Sequence, residues 1–185
     1  MAVTAMVTAV LVGLFGVYHY VENFWVYRGF APPEVPAYVK VQGKQETIKV
    51  RSAAIGGRSQ PVVVYLPPGY ASNPTQRYPV MYLLHGFPGR PFGLFTTAQV
   101  GILDESLVAK GRTSGLILVA PFGSTGTFHD KEWANGVGRG EGWETFLARD
   151  VVHAIDTRFR TIPSGSARAI AGLSEGGYGA LNIAF

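Results

Sequence analysis

A serine set between two glycines, in Gly172-Leu173-Ser174-Glu175-Gly176, is the strongest chemical signal in this sequence. A serine hydroxyl is a weak nucleophile near neutral pH. It attacks an acyl carbon only with a base beside it and with N–H donors aimed at the oxyanion that forms. The G-x-S-x-G spacing meets the steric part of that requirement, because side chains at Gly172 and Gly176 would crowd the neighbouring strand and helix. An apolar run, Ala167–Ala171, precedes the motif and a glycine-rich stretch, Gly177–Leu181, follows it, which reads as strand, sharp turn, helix. On such a turn the serine stands clear of the sheet at a helix N-terminus, where developing negative charge is stabilised. Ser174 is therefore the candidate acyl-transfer nucleophile, and the backbone N–H of Glu175 is a candidate oxyanion donor.

A second motif, Leu83-Leu84-His85-Gly86-Phe87-Pro88-Gly89, follows the apolar run Tyr78–Leu84. It falls at the carboxyl end of a predicted strand, the edge at which open α/β sheets gather ligands. The backbone N–H of Phe87 is the second candidate oxyanion donor. The base is harder to find. Hydrolases with this serine turn place an acid and then a histidine after the nucleophile, yet Glu175 is the sole acidic residue after Ser174 and no histidine follows it. Both partners are expected beyond Phe185. The 185 residues alone are expected to turn over little ester, and to aggregate through the sheet edge left after the serine strand. Among earlier residues, His85 reads as a structural part of its turn and His153 as a solvated residue on a helix. His129 and Asp130 fall in a loop that could line a cleft, and His19 lies in the apolar N-terminus, too far away to act.

No metal or cofactor is expected. His129, Asp130 and Glu132 are close in sequence without the spacing of a ligand set. Gly136, Gly138 and Gly140 alternate in a loop and do not open a helix after a strand, so they are no dinucleotide fingerprint. The absence of cysteine excludes disulfides, thiolate metal sites and a cysteine nucleophile.

The elements that must carry the serine are legible in outline. Gln45–Ser52 and Gln60–Leu66 flank Gly56-Gly57 and read as a hairpin, closed by Pro67-Pro68-Gly69. Tyr78–Leu84 and Leu116–Ala120 are continuous apolar runs and read as buried strands; Gly101–Lys110 reads as a short helix. Pro121–Gly142 is rich in glycine, polar and aromatic residues and reads as a long loop. In Trp143–Phe159 the residues Trp143, Phe146, Leu147, Val151, Ala154, Ile155 and Phe159 recur every three or four positions, the period of an amphipathic helix. Strands alternating with helices predict an α/β fold with a mostly parallel central sheet.

The N-terminus is a separate piece. Met1–Val21 holds no Asp, Glu, Lys or Arg. As a helix it would be about 31 Å long against a hydrocarbon layer of about 30 Å. Tyr18, Tyr20, Trp25 and Tyr27 gather at its end as an interfacial belt would. The reading is a transmembrane anchor or signal segment over residues 1–27, a proline-containing linker over 28–44, with Ala31–Pro36 as its stiff part, and a folded domain over 45–185. Such a protein is membrane-anchored or exported, of bacterial cell-envelope type. The net charge of +4 is scattered, with no basic run interleaved with aromatics, so no nucleic-acid partner is expected.

Four segments in order, Pro61–Tyr70 with VVVYLPPGY, Tyr78–Gly89 (YPVMYLLHGFPG), Trp143–Thr161 (WETFLARDVVHAIDTRFRT) and Arg168–Leu181 (RAIAGLSEGGYGAL), resemble the esterase family of α/β-hydrolases that includes esterase D-like enzymes, feruloyl esterases and the antigen 85 mycolyltransferases. The resemblance covers residues 45–185 and implies an α/β-hydrolase fold running as far as the serine turn. It also implies Ser174 as nucleophile, the Phe87 and Glu175 N–H groups as oxyanion hole, and a small-molecule or lipid or sugar ester as substrate. Glu175 stands where many relatives carry methionine. Hydrolysis of carboxylic esters is the function implied. The alternatives are acyl transfer to an envelope sugar or lipid through the same acyl-enzyme, and a non-catalytic binding module of hydrolase shape.

Overall fold

The computed structural model describes residues 2–21, 34–126, 129, 131, 133–136 and 141–184. Trp25, Tyr27, Ala31–Pro33, Asp130, Glu132, Gly138 and Gly140, named above as candidate belt, linker, cleft, ligand or loop residues, lie outside the described residues.

One five-stranded sheet organises the domain. Its strands are β1 (Lys44–Arg51), β2 (Ser59–Leu66), β3 (Val80–Leu84), β4 (Ile117–Pro121) and β5 (Arg168–Gly172), in the spatial order β1-β2-β4-β3-β5. The predicted hairpin is β1–β2, with Val50 opposite Gln60 and Lys44 opposite Leu66. Its turn passes through Gly56 and Gly57 at φ of 69° and 74°, left-handed values that glycine takes without penalty. β2 pairs antiparallel with β4, whereas β3 runs parallel to both β4 and β5. β2 is thus the one reversed strand, and β4, β3 and β5 end at a common edge.

β4 is buried along its whole length, as its unbroken apolar sequence requires. The main core lies on one face, where Trp143, Phe146, Leu147, Val151 and Ile155 pack on Val62, Val64, Val80, Tyr82 and Val119. These side chains belong to the predicted amphipathic helix. It begins as α4 (Trp143–Thr145), widens into a π-helical segment over Phe146–Val151, and returns to α-helix in α5 (Val152–Arg158). On the other face, α2 (Pro91–Thr96) and α3 (Val100–Ala109) cover Val63, Tyr65, Leu83 and Leu118 through a second cluster that includes Leu94 and Phe95. Asp156, outside the apolar stripe of this helix, accepts the Thr161 hydroxyl at 2.7 Å and pairs with Arg168, joining α5 to the start of β5.

α1 (Ala2–Tyr20) stands apart, with none of its apolar window Val3–Tyr20 buried. Residues 34–43, expected as part of the linker, dock on α3. Val39 is buried, the Lys110 ammonium lies 5.0 Å from the Tyr38 ring centroid, and the Gly43 N–H donates to Glu105 Oε1 at 2.9 Å. This attachment sits where β1 and β4 begin, at the sheet edge opposite Ser174.

Two buried carboxyls meet there. Asp104 Oδ1 accepts the Leu116 N–H at 3.1 Å, and the Tyr65 hydroxyl reaches both the Gly101 carbonyl and Glu105. Burial pushes the Asp104 carboxyl up to about 6, and the nearby Glu105 charge adds to the effect. An acid whose folded pKa is raised is favoured in its protonated form by folding. Its contribution is therefore full below the unfolded value near 4 and is lost as pH rises towards 6. Asp104→Asn is expected to remove a destabilisation on the order of 2–3 kcal/mol at pH 7 and to have little effect at pH 4. Urea melts of both proteins across that range check this; a difference independent of pH overturns it.

Candidate active site

β5 delivers the chain to the common edge and α6 (Glu175–Ala184) carries it away, with only Leu173 and Ser174 between them. Ser174 has φ of 54°, in the left-handed region that a non-glycine residue rarely occupies, and its side chain is exposed. Such strain persists only where surrounding structure enforces it. The glycines show how. A Cβ on Gly172 would overlap the backbone of Gly176 and Gly177, and a Cβ on Gly176 would overlap the carbonyls of Leu84 and His85. The serine turn is therefore folded tightly on itself and pressed against the end of β3. The Leu173 N–H donates to the Leu84 carbonyl at 3.1 Å, and the carbonyl of Ser174 accepts the N–H groups of Gly177 and Tyr178 at 2.8 and 3.1 Å, starting the helix.

The second motif meets the first here. A Cβ on Gly86 would lie 2.6 Å from the Leu173 carbonyl oxygen and 3.0 Å from the Ser174 Cβ. Only a glycine lets the Gly86-Phe87 backbone pass this close to the serine. Phe87, the next residue, is 52% exposed with its ring at the surface, and Glu175 is half-buried at the helix start. The backbone N–H groups of Phe87 and Glu175 thus belong to the two segments that flank Ser174.

His85 is buried and fully engaged. Its Nε2 accepts the Gly123 N–H at 3.0 Å, which leaves the proton on Nδ1, 3.1 Å from the Gly86 carbonyl. This agrees with a structural role. His153 is exposed on α5, and His129 is exposed in the loop after β4. His85 directs its ring nitrogens to Gly86 and Gly123 rather than to Ser174, and among the described residues no group of three His, Cys, Asp or Glu side chains could hold a metal.

Trp133 was not singled out by its sequence context. It is wholly buried, adopts φ of 53°, and donates its indole N–H to the His85 carbonyl at 3.3 Å. A Cβ on Gly179 would overlap Trp133 Cβ, and one on Gly123 would overlap the indole ring. The available signal was indirect: two glycines outside the serine motif, in a helix and after a buried strand, marked surfaces that a large side chain approaches.

The family model described as "Putative esterase" matches residues 52–185. The chain belongs to this esterase family. It is similar to the endo-1,4-beta-xylanase/feruloyl esterase of Xylanibacter ruminicola, 34% identical over 65% of this chain and 17% of that protein. It is also 34% identical to an esterase of Mycobacterium tuberculosis, over 74% of this chain and 28% of the relative. Among solved structures, a ferulic acid esterase superposes with TM-score 0.68 at 31% identity, over 77% of this chain and 55% of that one. The S-formylglutathione hydrolase of Agrobacterium tumefaciens superposes with TM-score 0.63 at 19% identity, over 84% and 56% of the two chains. The fold is that of the α/β-hydrolase esterases. The chain spans less than a third of the length of these curated relatives and a little over half of the two solved structures.

Proposed function

We propose that this chain carries the nucleophile and oxyanion hole of a serine esterase acting on carboxylic esters. Ser174 Oγ attacks the ester carbonyl carbon and its proton passes to a base. The carbonyl oxygen becomes an oxyanion held by the Phe87 and Glu175 N–H groups. Collapse of the tetrahedral intermediate expels the alcohol and leaves an acyl group on Ser174, which water then releases as the acid. The observation that carries this reading is the exposed Ser174 in a left-handed conformation at the edge where β3 and β5 end, with the glycine of the upstream motif against it. Both esterase relatives and the family match support ester hydrolysis as the reaction. The test is chemical. A fluorophosphonate added to the protein expressed from its complete reading frame is expected to modify the peptide containing Ser174, and Ser174→Ala to abolish the adduct. An adduct on another serine, or one that survives the substitution, overturns the assignment.

The substrate class proposed is a small-molecule, sugar or lipid ester. α1 is proposed as the membrane attachment of an envelope enzyme, since its apolar side chains find no partner surface in the domain. The tether enters at the sheet edge opposite Ser174, so the site is not occluded by its own attachment point. The protein is expected to sediment with membranes and to resist extraction at alkaline pH, whereas a chain beginning at Glu34 stays in the supernatant. Recovery of a mature N-terminus beyond Val21 would show a cleaved leader instead.

A further inference from the structure

We infer that Trp133 and His85 are positioning residues that set the spacing between the two halves of the oxyanion hole. The inference rests on the proposed role of Ser174. One donor segment, Gly86-Phe87, hangs from the end of β3; the other, Glu175, begins α6. The two are not consecutive in sequence, and the distance between them decides whether both N–H groups can reach one oxygen, for which donors must lie about 2.7–3.1 Å away.

A single buried cluster ties these two segments together. On the β3 side, His85 donates from Nδ1 to the Gly86 carbonyl and accepts at Nε2 from the Gly123 N–H, so its ring orients the peptide plane that leads to Phe87. On the α6 side, Trp133 lies against Gly179, one turn beyond Gly176, which itself presses on the His85 carbonyl. The indole closes the circuit. Its N–H donates to that same His85 carbonyl at 3.3 Å, and its ring meets the His85 imidazole edge-on, with centroids 5.3 Å apart. Trp133 therefore touches the helix behind one donor and the turn behind the other.

Backbone strain is the independent observation. A bulky residue at positive φ is a rare outlier, and glycine would relieve it at once. Glycine would also remove the indole. The fold keeps the strained conformation and the ring, and spends three glycines, Gly123, Gly176 and Gly179, on making room around the cluster. Core filling alone does not require an N–H donor aimed at the carbonyl that precedes Gly86.

The test uses the protein from its complete reading frame and an activated ester. Trp133→Phe keeps a ring and deletes the indole donor; His85→Asn keeps a donor near the Gly86 carbonyl and deletes the acceptor for Gly123. In each, kcat is expected to fall about tenfold with KM within about twofold, because the loss is confined to the transition state. Affinity for a trifluoromethyl ketone, whose adduct carries the oxyanion, is expected to fall by the same factor as kcat/KM. A folded variant that keeps wild-type kcat, or loses kcat while its affinity for the ketone is unchanged, overturns the inference. Should both variants fail to fold, the wild-type protein still decides. The indole N–H resonance of Trp133 is expected to shift when the ketone adduct forms, and an unmoved resonance overturns the inference. Failure of the Ser174 reading itself is recognised separately, by Ser174→Ala retaining activity.

Discussion

Ser174→Ala, made in the protein expressed from its complete reading frame, is expected to lower kcat for an activated ester by at least about 10⁴-fold while leaving substrate affinity within a few-fold. The size of the effect follows from what is removed. Without Oγ no acyl-enzyme forms, and only the oxyanion donors and ground-state binding remain to assist water. Because the side chain is exposed and makes no packing contact in the core, its removal is expected to leave the fold intact. Loss of activity is then readable as chemistry. Steady-state kinetics beside a thermal melt check this: a variant within about tenfold of wild type excludes Ser174 as nucleophile, since tenfold corresponds to only about 1.4 kcal/mol of barrier.

The second large effect concerns stability and separates two adjacent glycines. Gly176→Ala is expected to destabilise the domain by at least about 3 kcal/mol, because the new methyl runs into the backbone carbonyls of Leu84 and His85, which cannot rotate away as a side chain would. For a chain of this size that is a fall in Tm of about 6–12 °C. Gly177→Ala is expected to be neutral or to stabilise by about 0.5–1 kcal/mol. Its methyl would come no nearer than 3.4 Å to the Gly172 carbonyl, and alanine is the better helix former. Calorimetry on the two variants decides. Equal melting temperatures would mean that α6 does not press on the end of β3 as described.

Local chemistry carried much of this architecture into the sequence. The β1–β2 hairpin followed from two β-rich runs around Gly56-Gly57, and β4 from an unbroken apolar run. The helix over Trp143–Arg158 followed from its period, although its six-residue π-helical segment did not, since a widened turn leaves little trace in a threefold to fourfold spacing. The short helix α2 leaves no signature in the sequence, because six residues containing Pro91 and Gly93 show no period to read. Asp156 lies outside the apolar stripe of that helix, and nothing in the period shows its partners, Thr161 and Arg168, which lead into and open β5.

The sequence by itself determined the kind of chemistry available: a serine whose flanking glycines permit a strained turn, an upstream glycine able to approach it, no thiol, and an apolar N-terminal segment. These are local properties, set by side-chain size and backbone freedom within a few residues. Only the tertiary structure decided that Gly86 lies against Ser174, that His85 is a neutral structural hub with both ring nitrogens engaged, and that Trp133, distant in sequence from either motif, is wedged between them. Those facts depend on which strands become neighbours. Placing β3 between β4 and β5 sums small preferences over the whole chain, and no single segment encodes that sum.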